Sequence, residues 1–252
     1  MSPVADPISL EFQDTAAGLP VAVVSIRRPA RRNALDTDAC VALAAALESA
    51  AARPARALVL TGSEGSFCAG ADLGTVRDAG FGPALRSVLD ALVELPIVCI
   101  AAVDGPALGA GVQLAVSCDL RVATPAARFG VPAGRLGLMV DHWTVRRVSL
   151  LAGQGLARAM LLGGVQLDGD QAVAAGFAQR PGDLAAALAW AGEIADLAPL
   201  TLAGHKLALN RVEMASDDPV VEEARRRAWS SADLEEGITA FRERRPPRFK
   251  GS

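Results

Sequence analysis

Two glycine-rich stretches hold the backbone groups best placed for chemistry. The first is Ser66-Phe67-Cys68-Ala69-Gly70-Ala71-Asp72-Leu73, and the second is Asp104-Gly105-Pro106-Ala107-Leu108-Gly109-Ala110-Gly111. Each follows an apolar run, 57–60 or 97–103, with the character of a buried strand. Glycine lets a backbone approach a ligand closely. A helix opening at Gly109 would aim unpaired N–H groups and the positive end of its dipole at an anion. Two N–H groups from two such loops, converging on one oxygen, stabilise charge that develops there. Taken alone, either loop is an ordinary turn. Neither carries the lysine and Ser/Thr of a P-loop, and neither reads G-x-G-x-x-G.

A second group of reactive side chains lies in Asp141-His142-Trp143-Thr144. An aspartate just ahead of a helix is usually its N-cap. His142 is a residue type that can serve as a general base, but as the neighbour of Asp141 in sequence its side chain is expected to point away from it, which suits a surface position. Trp143 brings a large apolar face, suited to walling a pocket or filling core. The four cysteines, Cys40, Cys68, Cys99 and Cys118, are too scattered for metal-ligand spacing, with only two histidines to help. They read as small buried hydrophobes in a reducing cytosol. His205 and Lys206 read as part of a solvated helix face, as does the cluster Arg225 to Arg227. Arg27, Arg28, Arg31 and Arg32 form a cluster suited to phosphates.

The elements that must position these groups are visible in outline. Residues 8–12 alternate and 21–26 are β-branched, as strands do. Asp36 or Thr37 caps a helix to about residue 52, with Val41, Leu43 and Leu47 on its apolar side. A helix near 83–95 separates the two buried strands. Another, over 108–117, opens at Gly109-Ala110-Gly111, and short strands follow at 120–123 and 128–131. From Trp143 the chain is mostly helical, with breaks at Gly153, Gly163-Gly164 and Gly176. Pro199 fits the first position of a further helix. Strand, strand, helix, repeated and then followed by helices, is an α/β core with a helical C-terminal part, divided at 1–195 and 196–252.

Composition narrows the function classes. With 252 residues, 51% of them hydrophobic, the chain can bury a sizeable core. A net charge of −3 argues against a nucleic-acid partner. No apolar run nears the roughly 20 residues that span a bilayer, so no membrane span is expected. The N-terminus lacks a signal-peptide pattern, which together with the cysteines points to the cytoplasm. The basic, proline-bearing end beyond Arg244 is ordered only if something holds it.

Together with their flanks the two loops cease to be generic. The run Arg28-Pro29-Ala30-Arg31-Arg32-Asn33-Ala34-Leu35 resembles the opening motif of the crotonase (enoyl-CoA hydratase/isomerase) superfamily. So do Leu58-Val59-Leu60-Thr61-Gly62 leading into the first loop, and Ile100-Ala101-Ala102-Val103 leading into the second and on to Cys118-Asp119-Leu120-Arg121. The ending Phe241-Arg242-Glu243-Arg244-Arg245-Pro246-Pro247-Arg248-Phe249 is similar to the family's usual C-terminus. The resemblance runs the whole chain in order. It implies a crotonase-like spiral of ββα units with a C-terminal α-helical trimerisation region, assembled as a homotrimer or a dimer of trimers. It implies a fatty acyl-CoA thioester as ligand in lipid metabolism, with no metal or redox cofactor. The backbone N–H groups of Ala71 and Ala110 fall on the family's oxyanion-hole positions, beside Gly109. Ala69, Gly70, Asp72 and Leu73 fall on the adenine site, and Arg28 on a place where it can meet CoA phosphate.

The same resemblance exposes departures. Hydration of an enoyl thioester uses two carboxylates gripping one water, one taking a proton while the other supplies one. The family's glutamate positions are Gln113 and Ala133 here. Glutamine positions water but exchanges no proton near neutral pH, and alanine does neither. Asp141 falls where some family isomerases keep a catalytic aspartate, and Trp143 falls near the reacting end of the acyl pocket. The combination resembles a branch of actinobacterial paralogues that lack both hydratase glutamates. Two functions follow from these residues: an acyl-CoA binder with weak or absent hydration, or an isomerase or hydratase using Asp141 as acid and base.

Overall fold

The computed structural model of the chain describes residues 6–76, 78–136, 138–211, 220, 223, 227 and 230–252. Arg225 and Arg226 of the second arginine cluster lie outside them. The elements of the first half are β1 (Ile8–Asp14), β2 (Pro20–Ile26), α1 (Thr37–Ala51), β3 (Ala57–Gly62), α2 (Phe81–Glu94), β4 (Val98–Val103), β5 (Pro106–Leu108) and α3 (Ala110–Ser117). Next come β6 (Leu120–Ala123), β7 (Arg128–Gly130), α4 (His142–Leu161), β8 (Leu167–Asp168), α5 (Gly169–Ala174) and β9 (Arg180–Pro181). Three helices end the described chain: α6 (Leu184–Ala195), α7 (Pro199–Asn210) and α8 (Ala232–Glu243).

Six strands form one sheet in the order β1-β2-β3-β4-β6-β9, and β5-β7-β8 form a second. Only β1 is antiparallel in the larger sheet; β2, β3, β4, β6 and β9 run parallel. Parallel strands need covered faces, because their crossovers bury both. On one face Leu58, Leu60, Cys99, Ala101 and Val103 join the core beneath α1 and α2. On the other, Val59 and Ile100 meet Ala187, Ala191 and Ile194 of α6. This two-sided burial explains why β3 and β4 read as unbroken apolar runs rather than as alternation.

Each helix start has a local cause. Asp36 caps α1, accepting from the Ala39 N–H at 2.9 Å. Cys40, Leu43 and Leu47 are buried from α1, whereas Val41, expected on its apolar side, is 59% exposed because the i, i+3, i+7 stripe excludes it. The helix expected over 83–95 starts earlier, at Phe81. The helix expected from 108 starts at Ala110, because Pro106–Leu108 is taken as strand β5. In α4 the break at Gly153 appears as a φ of +75° inside the helix. The two-residue strands β8 and β9 are too short to leave a pattern in sequence.

Lys206, expected on a solvated face, is instead buried. Its ammonium forms an ion pair with Asp119 at 2.8 Å and donates to the carbonyls of Leu92 and Ile97 at 2.9 and 3.0 Å. Asp119 in turn accepts from the Cys99 N–H at 2.8 Å. This single buried cation ties α7 to the end of α2 and the start of β4. The C-terminal segment is also held. Asp233 on α8 accepts from the N–H groups of Lys250 and Gly251 at 2.5 and 2.7 Å, and Glu236 pairs with Arg245 at 2.6 Å. Among the described residues no single helix is long and apolar enough to cross a membrane.

Two predictions follow from this core. Replacing Lys206 by Met strands Asp119 and two carbonyls without their donor, and should lower unfolding free energy by about 3–5 kcal/mol in denaturant titration. An unchanged midpoint would refute the brace. Burial pushes the Cys40 and Cys68 thiols up to about 12 and the Cys99 thiol up to about 11. All three are therefore neutral thiols at pH 8, and the thiolate is the nucleophile. The native protein should leave them unmodified by iodoacetamide at pH 8, with modification appearing once denaturant unfolds the chain.

Candidate active site

The base of the site is made of backbone. Leu35 N–H donates to Gly70 O at 2.8 Å and Leu35 O accepts from Asp72 N–H at 2.7 Å. That parallel bridge engages the residues on either side of Ala71, so the Ala71 N–H points away from Leu35. Cys68 N–H donates to Pro106 O at 2.8 Å and Leu108 N–H to Cys68 O at 3.1 Å, which lays the first loop alongside β5. The contact is too close for a side chain at Gly111, where a Cβ would stand 2.2 Å from Cys68 O. Gly109 turns into α3 with φ +54°, a region glycine favours. As the first residue of α3, Ala110 has an N–H without an intrahelical acceptor. It lies 4.0 Å from where a Cβ on Gly70 would stand, so the start of α3 abuts the first loop.

The opening arginine-rich motif braces this base. Asn33 is fully buried, accepts from Arg28 N–H at 2.8 Å, and donates to the carbonyls of Ser63, at 2.9 Å, and Ser66. The Arg28 guanidinium donates to Ala34 O and the Asp36 carboxylate. Its guanidinium thus also braces the motif internally. Asp72 accepts from Gly74 N–H at 3.0 Å and faces Arg31 at 4.0 Å, so it shapes the loop rather than lining the cavity.

Above the base lies a cavity of about 330 Å³. Ala69, Gly70, Ala71, Leu73, Gly109 and Ala110 line it from the two loops. Ala133, on the short 3-10 turn Pro132–Arg135, lines another wall. The helix α2 supplies Phe81, Leu85 and Leu89. Leu136, Leu138 and Met139 form an apolar rim, with Met139 87% exposed. Among the described residues three polar side chains interrupt this lining: Arg86, Gln113 and Asp141.

Those three belong to one network. Gln113 Nε2 and Thr144 Oγ1 are 2.7 Å apart, and Thr144 is fully buried. Thr144 Oγ1 donates to Asp141 Oδ1, which also accepts from Thr144 N–H at 3.0 Å as the cap of α4. Asp141 Oδ2 faces Arg86 at 3.7 Å. Arg86 also pairs with Asp90, one helical turn along α2, and lies 4.7 Å over the Trp143 ring. The Asp90 carboxylate, with Asp141 beyond it, holds the Arg86 guanidinium above its ordinary range. Trp143, expected as a pocket wall, does not line the cavity. It packs behind the wall under Arg86, because the α4 cap turns Asp141 rather than Trp143 inward. His142 is exposed.

Sequence reasoning thus reached Ala69, Gly70, Ala71, Leu73, Gly109, Ala110, Gln113, Ala133 and Asp141 as cavity residues. It missed Arg86 and the α2 wall. The available signal was the i,i+4 pair Arg86 and Asp90 on a helix whose apolar residues recur at Phe81, Leu85 and Leu89.

Comparison with known proteins places this geometry. A family model described as enoyl-CoA hydratase/isomerase matches residues 17–252. The chain is 43% identical over 240 residues to a protein named probable enoyl-CoA hydratase echA6 of Mycobacterium tuberculosis, covering 92% of this chain and 96% of that one. It is 32% identical over 250 residues to mitochondrial methylglutaconyl-CoA hydratase of Mus musculus, covering 92% of this chain and 80% of that one. A crystal structure of an enoyl-CoA hydratase/carnithine racemase from Magnetospirillum magneticum superposes with a TM-score of 0.89 at 29% identity, covering 99% of this chain and 97% of that one.

Proposed function

The chain belongs to the enoyl-CoA hydratase/isomerase family, and from that premise we propose that it binds fatty acyl-CoA thioesters and hydrates enoyl-CoA weakly or not at all. The observation that carries this reading is the lining of the cavity. Among the described residues it holds one carboxylate, Asp141, and that carboxylate caps α4. Water addition needs one group to take a proton and another to give one. Gln113 and Ala133, at the family's two glutamate positions, offer neither.

Binding needs less. The Ala71 and Ala110 N–H groups are free to donate to a thioester oxygen, and the apolar walls suit an acyl chain. Ala69 to Leu73 would carry the adenine end. The reading calls for no cofactor beyond the CoA moiety itself, and for the trimeric or hexameric assembly and cytoplasmic setting that the family resemblance implies.

A second reading is kept for one reason: the Asp141 side chain is 48% exposed and lines the cavity. In it, Asp141 moves an α-proton in an isomerase or other thioester-enolate reaction.

Both readings are tested together. Purified protein is given crotonyl-CoA and a longer 2-enoyl-CoA while enoyl absorbance is followed, beside a two-glutamate hydratase and with saturated acyl-CoA binding measured by calorimetry. Binding with hydration at least about 10²-fold slower than the reference is expected, since each acid–base group contributes roughly 10²–10⁴-fold. Hydration at the reference rate would overturn the binder reading. Asp141→Asn should leave acyl-CoA affinity within about threefold, a free-energy change under 1 kcal/mol. Any isomerase turnover that disappears in Asp141→Asn with binding intact would establish the second reading, and no turnover in either protein would remove it.

A further inference from the structure

Two methionines stand among the described residues, and their settings are opposite. Met160, near the end of α4, is fully buried in the core. Met139 is 87% exposed, on the rim of the cavity between half-exposed Leu138 and Val140. Residues 138–140 belong to neither helix nor strand. A lone exposed apolar side chain is ordinary, but Leu136, Leu138 and Met139 are grouped on the mouth of an apolar cavity. Methionine suits such a place, because its unbranched side chain and polarisable sulfur adapt to ligands of different shape. On the acyl-CoA reading, a long acyl chain that fills the cavity along α2 ends against this rim.

The same exposure opens the thioether to oxidants. Hydrogen peroxide passes one oxygen atom to the sulfur: a sulfur lone pair forms the S–O bond, the O–O bond breaks, and water leaves. The thioether is oxidised by two electrons and the peroxide is reduced by two. No thiolate is needed, in contrast with Cys40, Cys68 and Cys99, whose thiols burial keeps neutral. The product is polar, so the apolar rim is interrupted at its most exposed point. Methionine sulfoxide is returned to methionine by sulfoxide reductases, one for each epimer.

We propose that Met139 is a reversible oxidation site at the mouth of the cavity, and that its sulfoxide weakens the binding of long acyl thioesters while sparing short ones. The effect on affinity rests on the acyl-CoA reading above, whereas the oxidation itself does not. A short acyl group stays within the cavity walls and never meets the rim. Chain length therefore distinguishes an altered rim from general damage to the fold, which weakens every thioester alike.

The test treats the full-length protein with limiting hydrogen peroxide, maps oxidation by peptide mass spectrometry, and titrates butyryl-CoA and dodecanoyl-CoA by calorimetry before and after. Met139 should gain one oxygen atom while Met160 gains none. Dodecanoyl-CoA should then bind about tenfold more weakly, as loss of one partly buried apolar contact allows, and butyryl-CoA within about twofold of its untreated value. Methionine sulfoxide reductases A and B with dithiothreitol should restore the long-chain affinity. In Met139→Leu, peroxide should leave dodecanoyl-CoA binding at that variant's own untreated value. Met139→Gln, which places a polar group there permanently, should show the long-chain loss without peroxide. Met160 oxidised as fast as Met139, equal losses for both thioesters, or a loss that persists in Met139→Leu would each overturn the proposal while leaving acyl-CoA binding standing. Failure of both thioesters to bind the untreated protein would overturn the acyl-CoA reading and the effect on affinity together.

Discussion

The close approach of Gly111 to the Cys68 carbonyl governs what the site can do. A Cβ on Gly111 would stand 2.2 Å from that oxygen, so the second loop can lie against the first only through bare backbone. Once they touch, Cys68 donates to Pro106 and accepts from Leu108 in strand-like hydrogen bonds, and the first loop becomes a small extension of the second sheet. The start of α3 then lies against the first loop because both backbones are held, not because either loop is rigid alone. Upstream parts serve the same contact. β3 and β4 deliver the loops in parallel register, and buried Asn33 ties the first loop to the opening motif through Ser63 and Ser66.

A cavity built this way is apolar, and its few polar groups must satisfy one another. Unpaired, a buried amide or carboxylate costs several kcal/mol. Buried Gln113 avoids that cost through Thr144, which also donates to Asp141, while the more exposed Arg86 meets Asp141, Asp90 and the Trp143 face. The same pairing limits chemistry. Asp141 is engaged at both oxygens, by the α4 cap and by Arg86, so taking a proton would loosen the helix start and an ion pair together.

Local signals carried much of this into the sequence, and long-range ones did not. β3 and β4, the Asp36 cap, the Gly153 break and Pro199 at the start of α7 were all visible, because each depends on residues within a turn or a strand. Six cavity residues were reached through the two glycine-rich loops, and Gln113, Ala133 and Asp141 through the family resemblance. Lys206 was misplaced, and the internal partner of Arg28 unseen, for one shared reason. A charge in sequence reads as solvated or ligand-facing unless its partner is known, and the partners Asp36 and Asp119 are recognised only in three dimensions. Arg86 was overlooked because α2 reads as an ordinary amphipathic helix until Asp141 is brought against it.

The balance of groups in the site separates affinity from rate. Free N–H donors on a thioester oxygen stabilise the bound ground state as well as any later oxyanion. Only interactions stronger in the transition state raise kcat, whereas those present throughout lower Kd. On the reading proposed above, an amide at Gln113 and a methyl group at Ala133 leave the binding energy of this cavity acting mainly on the ground state.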